Sequence, residues 1–218
     1  STIEAVKQFN ENLDPTTLDL GNSGTGIRLL SGYIAGSGKD CTLIGDKSLS
    51  QRPMNRIAEP LNSWGAEVSL TEQKFPPIEI KGTKLLPEFT YNLTIPSAQI
   101  KSCLLLAALS SKTKITIFEN IPSRDHTERM LEECGADIKR DGNKIILDGS
   151  IEIKKKFIDV PKDFSSAAYL IAANILSKKD ILLEGVGVNS TRTAFLDVVK
   201  EMGGNVVLKN LENITNEP

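Results

Sequence analysis

The feature that most restricts how this chain can fold is an internal repeat. Trp64-Gly65-Ala66-Glu67-Val68, Cys134-Gly135-Ala136-Asp137-Ile138 and Met202-Gly203-Gly204-Asn205-Val206 each end an amphipathic segment on glycine and begin an apolar one, about every 70 residues. Laying the three windows over one another aligns everything between them. Short apolar strands are expected at residues 18–20, 91–95 and 157–160. Each runs into a small or hydroxyl-rich helix start: Gly21-Asn22-Ser23-Gly24-Thr25, Pro96-Ser97-Ala98-Gln99 and Asp163-Phe164-Ser165-Ser166. Apolar helices follow at 27–35, 100–109 and 167–176, then second strands at 41–44, 114–118 and 181–184. A hydroxyl beside an arginine (Ser50 with Arg52, Ser123 with Arg124, Ser190 with Arg192) then introduces the second helix. Final strands at 78–82 and 144–149 complete two copies, and the third stops before its own.

The unit is therefore βαβαββ and the expected class is α/β, or α+β in some schemes. Before the first copy, Ile3, Val6 and Phe9 have helical spacing after a hydroxyl cap, like the tail of a further unit. The first helix of each unit is apolar all round, as in Leu104-Leu105-Leu106-Ala107-Ala108-Leu109, so these helices are expected to be buried on all sides. The second helices are amphipathic. One buried and one wet helix per unit places the buried helices at the centre and the sheets outside.

Composition narrows the functional classes. With 26 basic and 28 acidic residues the net charge is -2, so whole-chain electrostatics favour neither nucleic acid nor an anionic membrane. Cys41, Cys103 and Cys134 have no Cys-x-x-Cys spacing and read as packing residues, and the single His126 leaves no zinc set. A reduced, cytoplasmic, monomeric protein without metal or cofactor is expected. No apolar run has the roughly 20 residues of a membrane span.

Binding chemistry concentrates at the helix starts. Unpaired N–H groups and the positive end of the helix dipole favour an anion, and glycines let it approach. Arg52, Arg124 and Arg192 lie at or before helix starts, and Arg28 lies in the first turn after the glycine loop. The dipole disfavours a cation there, so an anion between the N–H groups and the bidentate guanidinium explains them. Salt bridges to neighbours such as Asp46 or Asp125 are the alternative. Lys101, one turn beyond Ser97, either joins the anion site or is a solvated lysine at the rim of a buried helix. His126, followed by Thr127-Glu128, reads as a solvated surface residue rather than a general base.

Gly21-Asn22-Ser23-Gly24-Thr25, Gly45-Asp46 with Ser48-Leu49 and Arg52-Pro53-Met54, Pro96-Ser97-Ala98-Gln99-Ile100-Lys101-Ser102, Ser123-Arg124-Asp125-His126-Thr127-Glu128-Arg129-Met130 and Ser165-Ser166-Ala167-Ala168 follow in order. Together they resemble the successive signatures of the EPSP synthase (3-phosphoshikimate 1-carboxyvinyltransferase) family. The resemblance implies enolpyruvyl transfer from phosphoenolpyruvate to shikimate 3-phosphate, and an inside-out α/β barrel of the enolpyruvyl transferase type, here incomplete. It implies substrate contacts from Asn22, Gly24, Thr25, Arg28, Arg52, Ser97, Ala98, Gln99, Lys101 and Arg124. Gly24 and Arg52 would meet phosphoenolpyruvate, Ser97, Ala98 and Gln99 would hold shikimate 3-phosphate, and Arg124 would meet the shikimate end. The family's opening Lys-Ser pair and its acid-base residues have no counterpart here, so no catalytic residue is expected. Residues 1–158 are expected to form most of one three-unit domain, and 159–218 the truncated first unit of a second. The related transferase acting on UDP-N-acetylglucosamine uses a loop cysteine, which none of the three here provides. A non-catalytic anion-binding repeat module is the remaining alternative.

Overall fold

The computed structural model describes residues 2–11, 16–84, 86–154, 157–177, 179–213 and 215–218. These group into two compact units, one of Ser1–Ser123 with Ala136–Ile153 and the other of Arg124–Gly135 with Lys154–Pro218.

The first unit holds two copies of the repeat. After helix α1 (Thr2–Glu11) come β1 (Thr16–Asp19), α2 (Gly24–Ala35), β2 (Cys41–Ile44), α3 (Asn55–Trp64), β3 (Glu67–Thr71) and β4 (Phe75–Lys81). The second copy supplies β5 (Phe89–Leu93), α4 (Ala98–Ser111) and β6 (Lys114–Glu119), then α5 (His126–Glu133) in the other unit, then β7 (Asp137–Asp141) and β8 (Lys144–Asp148). The two four-stranded sheets share one order, β1-β2-β4-β3 and β5-β6-β8-β7. In each, the first two strands are parallel across the helical crossover and the remaining pairs are antiparallel. Period-two alternation puts Leu18, Leu43, Val68, Ile78 and Ile80 on the buried face of one sheet, and Ile115, Ile117, Ile145 and Leu147 on that of the other.

Helix α2 packs on the first sheet, α4 on the second, and the two helices pack on each other. The helices are therefore central and the sheets outside, as the apolar first helices require. They run parallel. Thr25 meets Gln99 near their starts, Gly32 lies against Cys103, and Gly36 lies against Ala107 and Ser110 near their ends. Glycine makes this approach possible, because a Cβ on Gly32 would fall 1.9 Å from the Cys103 carbonyl oxygen. Each repeat's second helix ends where a glycine adopts a left-handed backbone, with φ of 107° at Gly65, 81° at Gly135 and 86° at Gly203.

Three expectations change. In α1 the buried residues are Ala5 and Phe9 while Ile3 is exposed, so its contact stripe is turned from the one the spacing suggests. In the third copy, α6 (Phe164–Ser177) and α7 (Ala194–Glu201) form, but the expected strands at 157–160 and 181–184 do not. A strand needs a hydrogen-bonded neighbour, and the described residues there give only an isolated parallel bridge of Lys162 with Val186. Finally, α6 buries only Phe164 and Ala167, so the expectation of a helix covered on all sides holds for α4 and not for α6.

Candidate anion-binding site

Two helix starts stand together in the first unit. Ser23 caps α2 by accepting from the Gly26 N–H at 3.1 Å, and Ser97 caps α4 by accepting from the Ile100 N–H at 3.4 Å. Gln99 Nε2 donates to Thr25 Oγ1 at 3.0 Å and ties the two starts side by side. Because the helices are parallel, their positive ends coincide, and both caps are neutral.

Two guanidiniums close on the same place. Arg28 donates to the Gly24 carbonyl at 2.9 Å and to the Pro53 carbonyl at 3.0 Å. Arg52 donates to Asn22 Oδ1 and, at 3.4 Å, to Ser48 Oγ. A Cβ on Gly24 would lie 2.8 Å from Arg52 Nη1 and 3.1 Å from Arg28 Nη1, so the bare glycine admits both cations. Burial, and then the charges of Arg52 and Arg56, hold the Arg28 guanidinium below its ordinary pKa.

Asp46, the acid offered by the salt-bridge alternative, stands one step back. Asn22 Nδ2 donates to it at 2.8 Å while the Asn22 carbonyl oxygen accepts from Arg52, so the amide separates carboxylate from guanidinium. The Leu49 N–H, then Asn22, lower the Asp46 pKa and keep it ionised. Among the described residues neither Arg28 nor Arg52 forms an ion pair with a carboxylate. The glycine loop therefore gathers excess positive charge against two helix dipoles, an arrangement that an anionic ligand neutralises.

Asn22, Gly24, Thr25, Arg28, Arg52, Ser97, Ala98 and Gln99 lie in this unit around the two helix starts, whereas Arg124 belongs to the second unit, where it is exposed. Asp125 pairs with Arg129 at 2.9 Å instead of with Arg124. Lys101 requires a correction. It is fully buried, with its ammonium 3.2 Å from both oxygens of Glu119, so it is no solvated rim lysine. His126 is also less free than expected, since its Nδ1 lies 2.7 Å from Glu217 Oε1. Arg192 follows the salt-bridge alternative, donating to Asp163 at 3.2 Å and to the Ser165 hydroxyl. Arg56 and Glu119 escaped the sequence reading. Glu119 carried a signal, because it continues the inward-facing alternation of Ile115 and Ile117.

Cys41 and Cys103 are buried, and burial pushes each thiol up to about 12, which leaves them inert. Cys134 is half-buried. Among the described residues no helix is long and apolar enough to cross a membrane, and no group of three His, Cys, Asp or Glu side chains could hold a metal ion.

The fold and this site define a βαβαββ repeat protein that gathers cationic groups at paired helix starts. The chain belongs to the EPSP synthase family: the family model for EPSP synthase (3-phosphoshikimate 1-carboxyvinyltransferase) matches residues 1–218. The 3-phosphoshikimate 1-carboxyvinyltransferase of Methylococcus capsulatus is 45% identical over 202 residues, which cover 92% of this chain and 46% of the relative. That of Alkalilimnicola ehrlichii is 43% identical over 218 residues, 100% of this chain and 49% of the relative. An EPSP synthase structure from Acinetobacter baumannii superposes with a TM-score of 0.82 at 41% identity, covering 93% of this chain and 46% of that one. The chain thus spans about half the length of the curated relatives it matches.

Proposed function

We propose that this chain is a substrate-binding portion of an enolpyruvyl transferase that moves the enolpyruvyl group of phosphoenolpyruvate onto the 5-hydroxyl of shikimate 3-phosphate and releases phosphate. The supporting observation is the pair of parallel helix starts at which Arg28 and Arg52 stand without a carboxylate partner among the described residues. Both substrates carry a phosphate and a carboxylate, so each presents groups suited to guanidinium forks and free helix N–H groups. Gly24, Arg28 and Arg52 take phosphoenolpyruvate, with Asn22 holding Arg52 in place. Ser97, Ala98 and Gln99 take shikimate 3-phosphate, Gln99 also facing phosphoenolpyruvate through Thr25, and Arg124 meets the shikimate end. Lys101 contributes from behind through its ion pair. The portion works as a cytoplasmic monomer, with its domain boundary near residues 158–159.

Transfer requires a proton for the methylene carbon of phosphoenolpyruvate and a base for the attacking hydroxyl. The side chains at the α2 and α4 starts are arginines, hydroxyls and amides, which bind and orient. The chain alone therefore binds its substrates weakly and releases phosphate from them no faster than buffer does. Titration with shikimate 3-phosphate, UDP-N-acetylglucosamine and inorganic phosphate tests this reading, with phosphate release followed in the substrate pair. Preference for shikimate 3-phosphate supports it. Equal affinity for all three would make the chain a general anion-binding module, and turnover abolished by Gln99→Ala would mean that the catalytic groups lie within it.

A further inference from the structure

Glu119 ends β6 with its carboxylate buried, and three parts of the first unit converge on it. Lys101 approaches from the first turns of α4, one turn past the Ser97 cap, with Nζ 3.2 Å from both oxygens. Arg140 reaches in from β7, 3.4 Å from Oε2. Ser123 donates its backbone N–H to Oε1 at 2.9 Å and its hydroxyl to the same oxygen. Ser123 is the last residue before Arg124.

A buried ion pair is a poor device for stability, because apolar groups of similar volume often do as well. It is a good device for holding a direction, since an ionised carboxylate accepts several hydrogen bonds at fixed angles. The segment it holds has little else. Residues 120–122 are exposed, with Ile121 62% exposed, and the near end is fastened by the Glu119 N–H to the Asn143 carbonyl and by Asn143 to Asn120. The far end is fastened by Ser123 to Glu119.

We propose that Glu119 is a positioning residue: through Ser123 it sets where the chain enters Arg124, and through Lys101 it ties that point to the helix start bearing Ser97 and Gln99. The inference rests on the reading of Ser97, Gln99 and Arg124 as shikimate 3-phosphate ligands. Two double variants of the full chain separate position from charge. Lys101→Met with Glu119→Gln removes both charges and keeps an acceptor for Ser123, whereas Lys101→Met with Glu119→Leu removes the acceptor too.

The Leu pair binds shikimate 3-phosphate about tenfold or more weakly than the Gln pair does, the scale of one or two hydrogen bonds. Phosphoenolpyruvate affinity does not differ between the two pairs, and amide exchange at Ser123 accelerates only in the Leu pair. Ser123→Ala, which leaves the buried pair intact, gives the same split at about threefold. Equal losses in the two pairs, equal retention, or no split in Ser123→Ala would overturn the proposal. Should the unsubstituted chain bind no shikimate 3-phosphate, the ligand reading fails, and exchange at Ser123 alone decides: unchanged exchange in the Leu pair removes the tether.

Discussion

Helices α4 and α6 are each 14 residues long, follow a polar cap and carry a nearly unbroken apolar sequence. Nine residues of α4 are buried, while α6 buries Phe164 and Ala167 and leaves Tyr169 80% and Leu176 85% exposed. The difference lies in what surrounds them. Helix α4 has α2 on one side and strands β6 and β8 on another, whereas among the described residues the segments flanking α6 do not pair into a sheet. An apolar helix is eligible for a core, but only neighbouring elements make the core.

The same contrast runs through the helix starts. Asp163 caps α6, accepting from the Ser166 N–H at 2.9 Å and from Arg192 at 3.2 Å, so one carboxylate satisfies both dipole and guanidinium. Ser23 and Ser97 are neutral, and among the described residues neither Arg28 nor Arg52 beside α2 forms an ion pair with a carboxylate. One repeated scaffold thus leaves its guanidiniums without a carboxylate ion pair among the described residues at one pair of helix starts, and pairs one with the cap carboxylate at another.

The strongest break in this comparison comes from truncating both helices. Leu104→Ala in α4 should cost about 2–5 kcal/mol, because the side chain is fully buried and leaves a cavity. Leu170→Ala in α6, at a position 51% exposed, should cost less than about 0.5 kcal/mol. Urea unfolding of the two variants checks this, and equal costs would mean that α6 is covered in solution. Next in size, Gly32→Ala should cost about 1–3 kcal/mol by forcing α2 from the Cys103 carbonyl, visible as a lower midpoint at unchanged slope.

The helix starts offer a sharper test. Arg52→Lys loses bidentate pairing and should weaken phosphoenolpyruvate by about 1–3 kcal/mol, with shikimate 3-phosphate changing less. Arg192→Lys should change neither, since Arg192 already pairs with Asp163. Calorimetry showing both ligands weakened equally by Arg52→Lys would move Arg52 out of the proposed phosphoenolpyruvate site.

What could be read in the sequence is what repeats locally. The glycines at 65, 135 and 203 announce the unit, and the helix starts at Ser23 and Ser97 announce their caps. What could not be read depends on distant partners. Lys101 reads as either an anion ligand or a rim lysine because its partner stands 18 residues away at the end of a strand. The segment at 181–184 has strand composition, but pairing belongs to the neighbour as much as to the segment, and Leu182 is 75% exposed. Asn22 reads as part of the helix-start loop that the family resemblance places at substrate, and only the fold reveals that it separates Asp46 from Arg52.

The smallest expected effect belongs to the closed site. Asp163 and Arg192 form a half-exposed pair, with 53% of the aspartate side chain accessible, so water screens most of their attraction. A double-mutant cycle with Asp163→Asn and Arg192→Gln should give a coupling of about 0.2–1 kcal/mol at neutral pH and low salt. The Ser166 N–H and hydroxyl, then Arg192, lower the Asp163 pKa from its ordinary 3.8. A carboxyl whose folded pKa is depressed contributes all its stability above the unfolded value and loses it as pH falls through the folded one. The coupling should therefore persist down to about pH 3.8 and vanish only below it, as Asp163 takes its proton. A coupling already gone at pH 5 would mean that the carboxylate is not held as these contacts hold it, and that the third copy's arginine is as open as those beside α2.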